Sequence, residues 1–186
     1  RQMCIRDRGG AKSGKSDYAE KIAQMLHEGG NLYYIATMNP HDEEDQQRIK
    51  IHQQKREGRA FQTLEAKRQL HKIIDTINPQ DTILLDSLTS WMTNEMFVMA
   101  EFYPNVSVQM LEVVKKINTK HLVIVSDYLF SDAIHYDAYT ETFRRELGYV
   151  NCEIAKLADV VIECVYGNTI VHKGKEALHE KLILRT

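Results

Sequence analysis

The stretch Gly9-Gly10-Ala11-Lys12-Ser13-Gly14-Lys15-Ser16 decides the fold, because it fits the phosphate-binding loop pattern G-x-x-x-x-G-K-[ST]. In such a loop, backbone N–H groups surround the phosphates, the lysine reaches their oxygens and the final hydroxyl binds Mg²⁺. The pattern therefore predicts that all eight residues bind nucleotide, with Lys15 also catalytic and Ser16 also a metal ligand. A glycine-rich turn with an incidental Lys-Ser pair is the alternative.

The residues after the loop predict a helix that begins inside it. Apolar side chains recur at helical spacing at Tyr18, Ala19, Ile22, Ala23, Met25 and Leu26. Gly29-Gly30 then provides a stop signal. The free N–H groups and the positive dipole end of this helix would point at a bound phosphate.

Composition indicates one soluble domain. The chain has 186 residues, of which 43% are hydrophobic and 27% are charged. Its net charge of −2 gives no reason to expect a nucleic-acid partner. The three cysteines lack metal-ligand spacing and form no evident disulfide framework, and no apolar run reaches the length of a membrane span. We therefore expect a cytoplasmic protein without a membrane span.

Residues 1–8 do not have the expected sequence for their position. A phosphate-binding loop follows a buried parallel strand, which should be rich in Val, Ile and Leu. These residues can instead be back-translated as AGA CAG ATG TGT ATA AGA GAC AG(A/G), which resembles a transposon-end adaptor used in sequencing libraries. Our hypothesis is that residues 1–8 are a non-native segment and that residues 9–186 form a single nucleotide-binding catalytic domain. A real edge or loop segment is the alternative.

The rest of the chain alternates between predicted strands and helices. Apolar segments predict strands at 31–37, 82–86 and 121–125, and a terminal hairpin at 160–165 and 169–171. Helical spacing predicts helices from 42 past 52, and at 64–77, 88–102, 106–117 and 139–157. In the last of these helices, six side chains are expected in the core: Tyr139, Phe143, Leu147, Val150, Ile154 and Leu157. The pattern predicts an α/β fold of the P-loop NTPase type, with a mostly parallel sheet, helices on both faces and a C-terminal antiparallel hairpin.

Two residues at predicted strand ends are candidates for the site. Asp86 ends the strand 82–86, and in nucleoside-triphosphate-binding folds such a carboxylate holds Mg²⁺ opposite the loop. A solvated aspartate that begins a turn is the alternative. Thr37 ends the strand before it. Because ligands bind at the carboxyl ends of parallel strands, we expect the loop, Thr37 and Asp86 to lie together.

The helix predicted after Asp42 is polar almost all round, with Ile49 and Ile51 as its apolar residues before His52. Packing against a core does not explain such a helix. A ligand, a partner or a surface-bridging role are the candidate explanations.

Several motifs now occur together with the loop. They are Tyr-Ile-Ala-Thr at 34–37, Asp-Glu-Glu at 42–44, Arg-Ile-Lys-Ile-His at 48–52, Leu-Leu-Asp-Ser-Leu-Thr at 84–89 and Phe-Arg-Arg-Glu-Leu-Gly at 143–148. In combination they closely resemble the bifunctional adenosylcobinamide kinase / adenosylcobinamide-phosphate guanylyltransferase family of cobalamin biosynthesis. The resemblance extends from Gly9 to about Val165.

The resemblance implies two reactions with GTP or ATP and Mg²⁺. A nucleoside triphosphate phosphorylates adenosylcobinamide, and GMP from GTP passes through a GMP-histidine intermediate to adenosylcobinamide phosphate, giving adenosylcobinamide-GDP. The histidine of the family's R-I-x-x-H pattern corresponds to His52. The resemblance further implies a homo-oligomer, with a trimer as the expected form, and nucleotide contacts at Thr37, Met38, Asn39, Arg56, Glu65 and Asp86.

The residue chemistry is consistent with this assignment. An imidazole is a competent nucleophile near neutral pH, and a covalent intermediate divides one nucleotidyl transfer into two displacements. A structural surface histidine is the alternative for His52. Arg56 and Arg59, one and two turns further on, could neutralise triphosphate charge; the alternative is a solvated basic face.

One segment departs from the family pattern. After the strand that ends at Ser126, the family carries an Asn-Glu-Val-Gly-like stretch, whereas this chain has Asp-Tyr-Leu-Phe-Ser-Asp-Ala at 127–133. Asp127 is the candidate to replace the missing carboxylate in the kinase reaction. Two other functions remain open: a P-loop kinase for another small alcohol, and a non-catalytic nucleotide-binding protein.

Overall fold

The computed structural model describes residues 2–7, 14–40, 42–127, 129, 134–165 and 167–178, and describes the backbone alone at residues 2–7, 48 and 55. The strands are β1 Gln2–Asp7, β2 Leu32–Ala36, β3 Phe61–Glu65, β4 Thr82–Asp86, β5 Phe97–Val98, β6 Glu101–Phe102, β7 His121–Ser126, β8 Val160–Val165 and β9 Asn168–Lys173. The helices are α1 Lys15–Leu26, α2 Glu43–Arg56, α3 His71–Ile74, α4 Leu88–Met96, α5 Val106–Lys116 and α6 Ala138–Leu157.

The main sheet has the strand order β3-β2-β4-β7-β1-β8-β9. Only β9 runs antiparallel to its neighbour, while every other neighbouring pair in this sheet is parallel. The predicted α/β fold with a C-terminal antiparallel hairpin is thus confirmed.

Both faces of the sheet are covered, because successive side chains of a strand point to opposite sides. Ile83 and Leu85 of β4 belong to the core beneath α4, α5 and α6. Leu84, between them, belongs to a second core formed with α1, which contributes Ala19 and Ile22 among others. Because α1 packs against β4 in this second core, the carboxyl end of β4 lies next to the N-terminus of α1.

Strand β1 is an interior strand of the sheet. Its backbone pairs in parallel with β7 on one side and with β8 on the other. The segment 2–7 is therefore neither an edge strand nor a loop. The hypothesis that residues 1–8 are non-native concerns the origin of this sequence and stays a prediction.

The helix predicted at 64–77 is wrong. Phe61–Glu65 forms strand β3, which pairs in parallel with β2 at the edge of the sheet, and only His71–Ile74 is helical. Phe and Thr favour strands, and β2 provides a hydrogen-bonding partner that a local pattern does not reveal. Leu70 and Ile77 are buried on either side of α3 rather than along one long helix.

The helix predicted at 88–102 is too long. Helix α4 ends at Met96, and Phe97–Phe102 forms a small antiparallel hairpin of β5 and β6. The two residues of its turn, Met99 and Ala100, have φ values of 50° and 66°, which a helix does not permit. The aromatic rings of Phe97 and Phe102 pack at 5.3 Å between centroids and favour the hairpin.

Helix α6 is confirmed over the predicted stripe, but two of its six expected core residues are exposed. Phe143, Leu147, Val150 and Ile154 are buried, whereas Tyr139 is 59% exposed and Leu157 is 44% exposed. These two side chains belong to the first and last turns, where the helix extends past the core that covers its middle. In the described part of the chain, no helix combines the length and apolar character that a membrane span requires.

Candidate functional site

The candidate site lies at the carboxyl ends of β2, β3 and β4, beside the N-terminus of α1. Thr37 follows β2, Glu65 ends β3 and Asp86 ends β4, while Lys15 and Ser16 begin α1. The predicted nucleotide-binding residues Gly9, Gly10, Ala11, Lys12 and Ser13 lie outside the described residues. Gly14, which precedes α1, has a φ of 81°, in the left-handed region that favours glycine.

The two predicted metal ligands are in contact. The Ser16 hydroxyl forms a hydrogen bond with the Asp86 carboxylate. A hydroxyl and a carboxylate beside a phosphate loop fit Mg²⁺, which typically takes one or two protein ligands and completes its octahedron with phosphates and water. Within the described residues, no cluster of three or more His, Cys, Asp or Glu side chains provides a cage for a metal. The residues present thus fit a magnesium ion held jointly with a nucleotide.

Burial raises the pKa of Asp86 above its usual value. Hydrogen bonds from the Tyr34 and Ser16 hydroxyls lower this pKa, the negative charge of Asp127 raises it, and Lys15 lowers it, but burial outweighs the lowering causes. The Tyr34 hydroxyl donates to Asp86 Oδ2 at 2.9 Å. Burial, followed by the charge of Asp86, raises the pKa of Tyr34 well above its usual value, so its hydroxyl stays a donor.

Asp127, at the end of β7, contacts the loop lysine. Its Oδ1 lies 2.6 Å from the Lys15 Nζ. The Ser87 hydroxyl donates to Asp127 Oδ2 at 3.1 Å, and the Asp127 N–H donates to Thr89 Oγ1 at 2.9 Å. Both carboxylates near the loop, Asp86 and Asp127, are therefore fixed in place by hydroxyl donors.

Thr37 and Asn39 do not line the cavity described below. Thr37 is fully buried, and its hydroxyl donates to the Ser87 carbonyl at 2.7 Å while accepting from the Ser87 N–H at 2.8 Å. The Asn94 side chain donates to the Thr37 carbonyl at 2.7 Å. Thr37 thus joins the ends of β2 and β4, whereas Asn39 is exposed to solvent.

A cavity of about 270 Å³ lies between α2 and the ends of β2, β3 and β4. Five predicted site residues line it, namely Met38, His52, Arg56, Glu65 and Asp86. Tyr34, Lys50 and Lys67, which no sequence pattern predicted, also line it. The two lysines are exposed, so they provide positive charge at its rim without a desolvation cost.

His52 faces this cavity from α2. Its side chain is half-buried, and its Nδ1 is buried without a hydrogen-bond partner among the described residues. Most buried side-chain polar atoms have a partner, so one without a partner needs an explanation. The His52 ring thus has hydrogen-bonding capacity that no described residue satisfies.

Arg56 and Arg59 both bind the buried carboxylate of Glu20 on α1, a residue that was not predicted from the sequence. The Arg56 Nη1 donates to Glu20 Oε1 at 3.3 Å, and the Arg59 Nη1 donates to Glu20 Oε2 at 2.7 Å. Glu20 is 1% exposed and Arg56 is 7% exposed, so a solvated basic face does not describe Arg56. The available signal was the position of Glu20 between Ala19 and Ala23, at the edge of the apolar stripe of α1.

The chain matches known proteins in sequence and in fold. Residues 8–171 match the family described as cobinamide kinase / cobinamide phosphate guanyltransferase. The chain is 36% identical over 96 residues to the bifunctional adenosylcobalamin biosynthesis protein CobU of Escherichia coli K12, covering 51% of each chain. It is 36% identical over 98 residues to the protein of the same name from Salmonella typhimurium LT2, covering 52% of each chain. The chain thus spans about half the length of these curated relatives.

Among solved structures, an ATPase from the type III secretion system of pathogenic bacteria superposes with a TM-score of 0.50. That match covers 88% of this chain and 50% of the ATPase chain at 13% identity, so it supports the fold alone. The family match, in contrast, covers most of the sequence. The chain belongs to the cobinamide kinase / cobinamide phosphate guanyltransferase family.

Proposed function

We propose that the protein transfers GMP from GTP to adenosylcobinamide phosphate through an intermediate on His52, and that it also phosphorylates adenosylcobinamide. The observation that carries the first reaction is the shared cavity, which His52 and Asp86 both line beside Ser16. Family membership supports both reactions.

In the proposed guanylylation, the neutral imidazole of His52 attacks the α-phosphorus of GTP. A nitrogen–phosphorus bond forms, the bond to the β-phosphate oxygen breaks and pyrophosphate leaves. Bound Mg²⁺, held by Ser16 and Asp86, would neutralise phosphate charge. Lys50 and Lys67 line the cavity where the departing pyrophosphate needs positive charge. In the second step, a phosphate oxygen of adenosylcobinamide phosphate attacks the same phosphorus and the imidazole leaves, giving adenosylcobinamide-GDP.

The kinase reaction requires a group that orients the acceptor hydroxyl near the γ-phosphate. We assign this part to Asp127, whose carboxylate lies 2.6 Å from the Nζ of the loop lysine. The carboxylate would accept the hydroxyl proton as the hydroxyl oxygen bonds to the γ-phosphorus, while the bond from that phosphorus to the β–γ bridging oxygen breaks and the nucleoside diphosphate leaves. Asp127 thereby serves as the replacement for the carboxylate that the family carries in the segment after β7.

Incubation with GTP labelled on the α-phosphate tests the nucleophile. We expect label on the protein that is lost in acid and retained in alkali, as a phosphoramidate on histidine requires. His52→Gln should abolish the label, whereas His71→Gln, at an exposed histidine of α3, should keep it. A label that persists in His52→Gln would overturn the assignment. No label with any nucleotide would favour a kinase for another small alcohol or a non-catalytic nucleotide-binding protein.

We also propose that the protein is a homo-oligomer, with a trimer as the form implied by the family resemblance. Helix α2 supports this, because it places the polar residues around His52 at the surface, where a second copy could complete the site. Sedimentation equilibrium would test the proposal, and a monomer at assay concentration would contradict it.

A further inference from the structure

Helix α2 lacks the apolar face that normally fixes a surface helix. Among its described side chains only Arg56 is buried; Ile51 is 52% exposed and His52 is half-buried. Most helical stability in proteins comes from packing an amphipathic face, so α2 needs another source of stability and orientation. Because α2 carries His52, whatever fixes this helix also fixes the proposed nucleophile.

Glu20 connects α2 to the helix of the phosphate loop. It lies on α1, just over one turn after Ser16, and its two carboxylate oxygens accept hydrogen bonds from Arg56 and Arg59. Both members of the Glu20–Arg56 pair are almost fully buried, where charged groups persist only when they are paired. The pair therefore constrains the C-terminal end of α2 against α1.

A second contact orients the same guanidinium. The Arg56 Cζ lies 3.6 Å from the centroid of the Tyr34 ring, and the Tyr34 hydroxyl donates to Asp86. The planar guanidinium is thus held between the Glu20 carboxylate and an aromatic face, which defines its position more closely than an ion pair alone. Through Tyr34, this position is also tied to the proposed metal ligand.

His52 and Arg56 are four residues apart on α2 and so lie on the same face of the helix, and both line the cavity. We propose that Glu20 is a positioning residue for His52: by holding Arg56 and Arg59, it places the imidazole at the α-phosphate of a nucleotide bound at Lys15 and Ser16. Glu20 itself does not line the cavity, so it acts through the arginines. This inference rests on the proposed function.

A positioning role predicts a specific kinetic effect. A misplaced nucleophile lowers the rate constant for guanylylation, because displacement of a reacting group by about 1 Å can cost roughly 100-fold. The affinity for GTP depends mainly on the phosphate loop and should change little. A purely structural role would instead reduce the amount of folded protein and leave the rate constant of the folded fraction unchanged.

The test compares Glu20→Gln and Glu20→Ala with Glu141→Gln by rapid-quench measurement of labelled GMP on the protein. Glu141 is a matched control, since it also accepts hydrogen bonds from two arginines, Arg144 and Arg145, but on the surface of α6. In the Glu20 variants, the rate constant at saturating GTP should fall roughly 10- to 100-fold, while the half-saturating GTP concentration stays within about threefold. Glu141→Gln should behave as the unmodified protein.

Hydrogen exchange gives a readout that does not depend on activity. Amides of α2 should exchange faster in Glu20→Ala than in the unmodified protein, while amides of β4 and α6 keep their protection. Glu20→Gln, which keeps the side-chain shape, replaces Glu20→Ala if the latter does not fold. Unchanged protection of α2, or a guanylylation rate constant equal to that of the unmodified protein, would overturn the inference. If the unmodified protein forms no GMP adduct, the proposed function fails while exchange in α2 still tests the role of Glu20.

Discussion

Arg56→Met is expected to destabilise the protein by about 3 kcal/mol, because removal of one partner from a buried ion pair typically costs about 3–5 kcal/mol. The low end applies because Arg59 Nη1, at 2.7 Å, still faces Glu20 after the substitution. For chains of this size, each kcal/mol lowers Tm by about 2–4 °C, so we expect a decrease of about 6–12 °C. Methionine keeps much of the side-chain volume, which limits the contribution of a cavity.

Thermal and urea unfolding followed by circular dichroism at neutral pH would measure this loss. Arg144→Met is the control, since Arg144 pairs with Glu141 on the solvent-exposed surface and its removal should leave Tm almost unchanged. Moderate salt should weaken the surface pair and have little effect on the Glu20–Arg56 pair, which is shielded from solvent.

The double variant Glu20→Met/Arg56→Met tests the origin of the effect. It leaves no buried charge without a partner at these two positions, and replacement of a buried ion pair by apolar side chains is often neutral or stabilising. It should therefore recover much of the Tm lost in Arg56→Met but remain slow in guanylylation. A Tm within about 2 °C of the unmodified protein for Arg56→Met, or a double variant less stable than either single one, would refute the reasoning.

Variants of Asp86, Tyr34 and Asp127 test the carboxylates near the loop. Burial raises the folded-state pKa of Asp86, so its protonated form contributes stability that is lost as pH rises through that pKa. Asp86→Asn should therefore show a flatter pH dependence of Tm than the unmodified protein. A steeper pH dependence would contradict this. The same variant should lose Mg²⁺-dependent nucleotide binding in calorimetry. Tyr34→Phe removes a hydrogen bond that lowers the Asp86 pKa. As the pH is lowered, Mg²⁺-dependent binding measured by calorimetry should therefore begin to weaken at a higher pH in this variant than in the unmodified protein. An unchanged pH profile would argue against that link. Asp127→Asn should slow phosphorylation of adenosylcobinamide roughly 100-fold or more while the GMP label on His52 forms normally; equal losses would count against separate roles.

The parallel sheet and the position of the site could be predicted from sequence because both depend on local patterns. The loop pattern followed by an apolar helix identifies the start of α1, and the apolar run Thr82–Asp86 identifies β4 with its terminal carboxylate. Parallel strands end at a common edge, so these two local signals are sufficient to bring Ser16 and Asp86 together.

Strand β3 could not be predicted, because its stability comes from a neighbour rather than from its own sequence. Its five residues have no fully buried side chain and show no regular alternation of burial. They form a strand because β2 offers an unpaired edge. The spacing of Leu64, Leu70 and Ile77 happened to match a helix, although these residues belong to different elements.

The role of Glu20 could not be predicted for a similar reason. Its partners Arg56 and Arg59 are 36 and 39 residues away in sequence, and the position of Glu20 beside the apolar stripe of α1 gives no indication of which residues it contacts. Thr37 also has partners that its local sequence does not reveal. The nucleotide contact that the family resemblance implies for Thr37 stays a prediction, while the hydrogen bonds between its hydroxyl and the backbone of Ser87 depend on the neighbouring strand.

The two halves of the proposed site are held by different forces and should therefore fail separately. The half that contains Ser16 and Asp86 is built on α1 and β4, whose apolar side chains belong to the buried core of the sheet. The half that contains His52 is built on a polar helix that is connected to the core through buried charges at one end. Loss of the Glu20 carboxylate should thus leave nucleotide binding in place and slow the transfer to His52. Loss of the Asp86 carboxylate should weaken binding and leave α2 ordered. The contrast between Glu20→Gln and Asp86→Asn in binding, rate and exchange of α2 amides is consequently a stronger test of this architecture than either variant alone.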